Sequence, residues 1–238
     1  MQKIKKNLPK KLMLTAPISS KSNQASTSIG PLVRQRRLSQ ETLLIRQQNA
    51  ERNRELLMLS AARIVGQHGY KEASVQRITT DAGLALGTFY RYYESRQALF
   101  DQLLPHFGLQ MIEHVRQRVH GFTGFFDVEE RGVKAVFEYL IEHPWFWRLL
   151  NEAEIEAPNA WAQHHKEVIS RYVRFLKRVQ SAGELKRYSA QELGTLAQML
   201  VATRDYIYRC HLPMNVGSKK IPVSVMRTYR KFIESGLR

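Results

Sequence analysis

From about residue 39 onward, apolar side chains recur every three or four positions, the spacing of helices with one buried face. No stretch alternates apolar and polar residues long enough for a strand, and no hairpin turn separates β-branched runs. The pattern predicts an all-α chain of about nine helices without internal repeats.

The first helix is predicted from Ser39, which can serve as its N-cap, to Gln67. Its first part, Gln40 to Arg54, is polar, and its second carries Leu56, Leu59, Ala62 and Val65, flanked by Leu57, Ala61 and Ile64. His68-Gly69 ends it, since glycine suits the left-handed position beyond a helix. Ser74 caps a short second helix, Val75 to Ala82, and Gly83 breaks it. A third follows over Leu86 to Tyr92. Ser95 can cap a fourth from Arg96, with Leu99, Phe100, Leu103 and Leu104 on one face. Pro105 lies inside this helix, where it removes a backbone hydrogen bond and crowds the preceding turn, so a kink or break is expected.

Leu109, Ile112 and Val115 to Val119 resume the pattern up to a loop at Gly121 and Gly124. Asp127 is read as the N-cap of a helix carrying Val133, Val136, Phe137, Leu140 and Ile141. Pro144 stops or restarts it before the apolar run Trp145 to Leu150, and Pro158 marks a further break. Val168, Tyr172, Phe175, Leu176 and Val179 form the stripe of a helix over Ala160 to Ser181, closed by Gly183. The last two helices, about 189–211 and 219–236, carry Leu193, Leu196, Ala197, Leu200 and Ile207, then Met226, Tyr229, Phe232 and Ile233.

Charge changes the picture at one end. Residues 1–38 mix lysine with serine, glutamine, asparagine and proline, lack periodicity, and read as a disordered basic arm. Of the formal net charge of +16, residues 1–40 supply +9, having nine Lys or Arg and no acid. Such an excess suits a polyanion, either nucleic acid or an anionic membrane surface, but it bears less on the folded part than on the arm. The arm either adds phosphate contacts, with Arg34, Arg36 and Arg37 nearest the folded part, or is a solvated extension. The single cysteine, Cys210, rules out an internal disulfide, fits a cytoplasmic chain, and is expected to be a small core residue. There is no run of about 20 apolar residues to span a membrane, and Leu12-Met13-Leu14 is too short for the core of a signal peptide.

Three helices with a Gly83-containing turn between the second and third make a helix-turn-helix arrangement, which sets its last helix in the major groove of DNA. The string is Gly69-Tyr70, Ser74-Val75-x-x-Ile78, then Ala82-Gly83-Leu84-Ala85-x-Gly87-Thr88-Phe89-Tyr90-x-Tyr92-Tyr93-x-Ser95-Arg96 and Leu99. Over roughly residues 45–104 it resembles the DNA-binding domain of the TetR family of bacterial transcriptional regulators. Tyr92 replaces that family's common His, Arg96 its common Lys, and Thr80 a usual Ala; a donor and a phosphate holder remain, while the operator sequence stays open. Beyond residue 104 the resemblance is architectural only. It implies a helix-turn-helix domain over 39–104 and an effector-binding and dimerisation domain over 105–238. It also implies a cytoplasmic, nucleoid-associated homodimer that reads a near-palindromic double-stranded DNA operator, a repressor released by a small-molecule effector.

In such a domain, phosphate contacts position and base contacts specify. Ser74, at a helix N-terminus, is expected to hold phosphate together with Tyr90, Arg91, Tyr92 and Arg96. Gln76, Leu86 and Thr88 are expected to meet base edges or thymine methyls, Arg77 a phosphate or a guanine, and Gly87 to let the backbone approach the groove. Phe89 and Leu84 are expected in the three-helix core, and Tyr93 takes the place of the family's buried aromatic. A tyrosine-rich short helix can equally be a packing element with solvated hydroxyls.

In the C-terminal region an apolar or aromatic effector is expected among Phe107, Met111, Phe137, Leu140, Trp147, Phe175, Met199 and Tyr206, residue types that serve equally as core. The faces of the last two helices fit a four-helix dimer interface and an internal core alike. Glu152, Glu154 and Glu156 either hold a cationic effector or form a solvated face. His143, His164, His165 and His211 lack zinc spacing with cysteines, so no metal or cofactor is expected. With no phosphate-binding loop, nucleophile elbow or paired carboxylates, neither is an enzyme. The competing reading is a non-specific or architectural DNA-binding protein driven by the basic arm, marked by equal affinity for any duplex and a steep salt dependence.

Overall fold

The computed structural model describes residues 31–212 and 221–237. Among them are nine helices and no strand: α1 (Pro31–His68), α2 (Val75–Ala82), α3 (Leu86–Phe89), α4 (Arg96–Val119), α5 (Phe125–Glu142), α6 (Pro144–Glu156), α7 (Pro158–Ser181), α8 (Glu192–His211) and α9 (Val223–Leu237). An N-terminal helix-turn-helix is followed by a helical body, and none of the described helices is long and apolar enough to cross a membrane. Of the expected arm over residues 1–38, residues 1–30 lie outside the described residues.

The chain divides into two compact units, Met1–Leu57 and Met58–Arg238. In the first, α1 starts at Pro31 rather than Ser39, so it takes in residues 31–38. Proline suits a first helical position, where its missing N–H leaves no partner wanting. Residues 40–49 are all exposed, Leu43, Leu44 and Ile45 included.

In the second unit, the end of α1 buries Met58, Ala61, Ala62, Ile64 and Val65, while Leu56 and Leu59 are only half-buried. The stripe is turned from its expected centre because apolar residues flank it on both sides, and spacing alone cannot choose among them. Gly69 ends the helix with φ 88° and donates its N–H to the Val65 carbonyl at 2.8 Å. The third helix is shorter than expected: α3 stops at Phe89, and the N–H groups of Tyr92 and Tyr93 turn back to the Phe89 carbonyl at 2.9 and 3.0 Å. The chain then has to become extended at Ser95, whose hydroxyl caps α4 by accepting from the Ala98 N–H at 3.1 Å.

Pro105 does not break α4, which runs unbroken from Arg96 to Val119. The proline is half-exposed, so the carbonyl it leaves unbonded can turn to water. Leu103, Leu104 and Phe107 are buried on either side of it and hold the helix in place. The predicted boundary after residue 104 therefore falls inside a helix.

In the body, α5 is buried around most of its girth, from Phe125, Val128 and Glu129 to Phe137, Tyr139 and Leu140. Its N-terminus is not capped by Asp127, which lies in the first turn. Gly124 stands at the cap with no side chain, and both carboxylate oxygens of Glu184, in the α7–α8 loop, accept the Phe125 N–H at 3.1 Å. Pro144 and Pro158 each open a helix, so α7 begins at Pro158 and not at Ala160. Two glycines let helices meet closely. A Cβ on Gly66 would stand 2.2 Å from the Trp145 Cβ of α6, and one on Gly108 would stand 2.2 Å from the His164 Nδ1 of α7. Burial pushes His164 down to about 4. On α9, Met226, Tyr229 and Ile233 are buried but Phe232 is exposed, and Cys210 on α8 is exposed rather than in the core.

Candidate nucleic-acid interface and effector cavity

The helix-turn-helix is fixed from within and bare on the outside. Ile78, Thr79, Phe89 and Tyr93 are buried, with the Phe89 and Tyr93 rings 5.6 Å apart. Gly83 takes φ 68°, and the N–H groups of Gly83 and Leu84 satisfy the last carbonyls of α2 at 3.2 and 2.9 Å. Ser74 caps α2, its hydroxyl accepting the Arg77 N–H at 3.2 Å. Leu84 is half-buried at the edge of this core.

On the outer surface, Leu86 and Tyr90 are 51% and 57% exposed although both are large and apolar-bodied. Gly87 is exposed with nothing within 4 Å of where a Cβ would stand. Ser74, Gln76, Arg77, Arg91 and Arg96 are exposed, and Thr88 and Tyr92 are half-buried. Arg77 pairs with Glu72 at 2.9 Å, and Arg96 donates to the Lys71 carbonyl at 3.4 Å while its guanidinium lies 5.2 Å from the Phe100 ring centre. Both cations are thus held beside the turn that precedes α2. Sequence reasoning grouped these ten residues, and all ten lie on or beside α2, α3 and the start of α4.

A clamp missed in the sequence joins this module to the body. From α6, Glu152 accepts the Tyr70 backbone N–H at 3.0 Å, and Arg148 donates to the Gln67 carbonyl at 3.0 Å and to Glu152 at 2.6 Å. The Tyr70 hydroxyl donates to the Leu149 carbonyl at 3.3 Å, and burial together with the nearby Glu152 raises that phenol well above its ordinary range. Glu156 stands 3.9 Å from the exposed Lys71, so of the predicted acidic run Glu152 holds the module, Glu156 makes only a solvated pair with it, and Glu154 is a solvated residue.

A cavity of about 410 Å³ opens between α4, α5, α7 and α8. Its wall is Met111, Ile112, Val115, Val136, Val168 and Phe175. Glu129, Tyr172 and Arg204 also line it. There the buried Glu129 carboxylate accepts from Arg204 Nε at 2.8 Å, from Arg204 Nη2, from the Tyr172 hydroxyl, and from the Tyr229 hydroxyl of α9 at 2.5 Å. The four arginines Arg116, Arg171, Arg174 and Arg178 stand exposed at the edge.

The structure brings together only part of the predicted effector set. Met111 and Phe175 line the cavity. Phe107 and Leu140 are closed into the core, and Phe137 borders a separate cleft between α5 and α9. Trp147 is half-buried, with the Arg209 guanidinium 5.8 Å from its ring centre. Met199 and Tyr206 are 62% and 67% exposed on α8. The valines that complete the wall carried a legible signal, the stripe Val168, Tyr172, Phe175, but stripes of this kind read as core. Among the described residues no group of three His, Cys, Asp or Glu is placed to hold a metal.

Residues 57–103 match the family described as bacterial regulatory proteins, tetR family. An uncharacterized HTH-type transcriptional regulator, YvdT of Bacillus subtilis (strain 168), is 30% identical over 74 residues, a match that spans 31% of this chain and only 38% of that relative. In fold the chain is similar to the fatty acid degradation regulator FadR of Bacillus halodurans, at TM-score 0.65 and 17% identity over 78% of this chain and 96% of that one. It is similar also to FadR of Bacillus subtilis solved in complex with stearoyl-CoA, at TM-score 0.64 and 17% identity over 77% and 99% of the two chains.

Proposed function

We infer that this chain, a member of the tetR family of bacterial regulatory proteins through its residues 57–103, is a homodimeric transcriptional regulator released from its operator by a small molecule bound in the body. The observation that carries the reading is the outer face of the helix-turn-helix, where Leu86, Gly87, Tyr90 and Arg91 are exposed on a segment pinned by buried Phe89 and Tyr93. An exposed leucine and an exposed tyrosine hydroxyl beside an open glycine add little to folding beyond the edge-on contact of the Tyr90 ring with Phe89. They suit a surface that meets a groove closely, with Leu86, Thr88 and Gln76 toward base edges and Tyr90, Tyr92, Ser74, Arg91 and Arg96 toward phosphates. Arg77 reaches a phosphate or a guanine once it exchanges Glu72 for DNA.

Met199, Tyr206, Val223 and Phe232 are exposed on α8 and α9, and a second copy covers this apolar face in a four-helix interface. The effector acts through α4 and α6. α4 carries Leu99 and Phe100 in the DNA-binding module and Met111 and Val115 in the cavity wall, and α6 clamps the turn at Tyr70. A ligand that fits only one packing of α4 favours that packing and with it one spacing of the two modules. The stearoyl-CoA of the FadR neighbour supports a small-molecule effector in a body of this fold.

The test is selection of bound duplexes from a random pool with the full chain, followed by DNase footprinting. A protected near-palindrome with half-sites about one helical turn apart is expected. Equal affinity for every duplex with a steep salt slope would overturn the reading in favour of non-specific binding through the arm.

A further inference from the structure

We propose that the cavity between α4, α5, α7 and α8 takes an amphipathic anion, an apolar chain ending in a carboxylate or phosphate, whose head group lies between Arg174 and Arg178. The proposal rests on the reading of the body as an effector domain and adds the chemistry of the effector.

Three observations define that chemistry. The inner wall offers methyls, a thioether and the rings of Phe175 and Tyr172, so the part of the ligand that enters deepest is apolar. At about 30 Å³ per heavy atom, close to the share of a water in the liquid, 410 Å³ holds roughly a dozen heavy atoms, the size of a medium-length chain. Next, the acid in the wall asks for no cation. Glu129 accepts two hydrogen bonds from Arg204 and one each from Tyr172 and Tyr229, which fills the lone-pair sites of a carboxylate. A cationic ligand would have to displace Arg204 from a buried pair, which is costly.

The edge, in contrast, has spare positive charge. Arg116 pairs with Glu113 at 2.6 Å, and Arg171 pairs with Glu167. Arg174 and Arg178 lie one turn apart on α7, both line the cavity, both are exposed, and no carboxylate stands within ion-pair distance of either among the described residues. Arg178 rests instead with its guanidinium 5.7 Å from the centre of the Phe175 ring, a wall residue. Two guanidiniums in this setting suit the planar, bidentate bonding that carboxylates and phosphates accept.

Calorimetric titration of the full chain without DNA, using dodecanoate, dodecyl phosphate, dodecanol and dodecyltrimethylammonium below their micelle concentrations, tests this. Both anions are expected to bind about tenfold tighter than the alcohol, and the ammonium more weakly than any. The Arg174→Gln/Arg178→Gln variant should bring the anions down to the affinity of the alcohol, leaving the alcohol and the melting temperature unchanged. Val168→Trp fills the wall and should abolish binding of all four probes; Val168→Phe does so in part should the larger residue impair folding. The proposal is overturned if the ammonium binds as well as the anions, if anion preference survives loss of both arginines, if binding survives the filled wall, or if no probe binds. Each result is read without DNA, so a chain that fails here and still protects an operator loses only this inference, and the reverse result removes only the regulator reading.

Discussion

Glu152 on α6 accepts the backbone N–H of Tyr70 at 3.0 Å, joining the body to the turn from which α2 of the DNA-binding module starts. Tyr70 is fully buried, so without Glu152 its N–H would lack a partner. Glu152→Ala is expected to cost about 1–3 kcal/mol in urea unfolding, since a buried donor left bare loses its solvation outright. Glu152→Gln, which keeps an acceptor oxygen, should recover most of that loss. Equal stability of the alanine and wild-type proteins would show that the clamp does not hold in solution.

Gly66 and Gly87 should answer alanine in opposite ways. At Gly66 the new methyl would meet the Trp145 Cβ at 2.2 Å and its Cα at 2.6 Å, atoms that move only with the backbone of α6. A loss of about 3 kcal/mol is expected, the upper end for overpacking. At Gly87 nothing lies within 4 Å, and alanine in a helix gains up to about 1 kcal/mol over glycine. Gly87→Ala should therefore leave melting unchanged or raised while weakening DNA binding, and loss of stability there would contradict the open surface.

Tyr90→Phe separates ring from hydroxyl. The ring sits edge-on to Phe89 at 5.3 Å, and phenylalanine keeps that contact. Thermal unfolding should not change, while operator affinity should fall about fivefold, the worth of one hydrogen bond of roughly 1 kcal/mol. An unaltered dissociation constant would take Tyr90 out of the interface.

Acid should weaken the protein through His164. Burial holds this imidazole at about 4 against an ordinary 6.5, so between those values the unfolded chain binds a proton that the folded one refuses. Its contribution to stability is complete above pH 6.5 and is lost as the pH falls toward 4, an effect on the order of 3 kcal/mol. His164→Gln should flatten the fall of unfolding free energy over that window. Part of the slope will remain, because burial also holds His114 and His143 below the ordinary histidine value. An unchanged slope in the variant would remove His164 as its source.

What was legible in the sequence was whatever neighbours along the chain decide. Gly69 and Gly83 turn left-handed, Ser74 and Ser95 cap, and Phe89 goes inward, all as local spacing requires, while Tyr93 goes inward as the family resemblance implies. What was not legible depends on partners far away. The cap of α5 comes from Glu184, which no local pattern could offer in place of Asp127. The cavity exists because the stripes of α4 and α7 leave a gap, and a stripe that lines a gap looks the same as one that fills it. Residue type misled at Met199 and Tyr206, which lie opposite the buried Leu193, Leu196 and Leu200 on α8.

The unbroken passage of α4 through Pro105 ties the two halves of the protein in phase. Each residue added to a helix turns everything beyond it by about 100°. One residue inserted near the middle of α4 would thus swing the wall carrying Met111 and Val115 away from α7 if the module stayed put. Four inserted residues would leave a residual of only about 40°. Grafting a new ligand-binding body onto this module is then a matter of angular registry, and a junction chosen by counting domains would miss it.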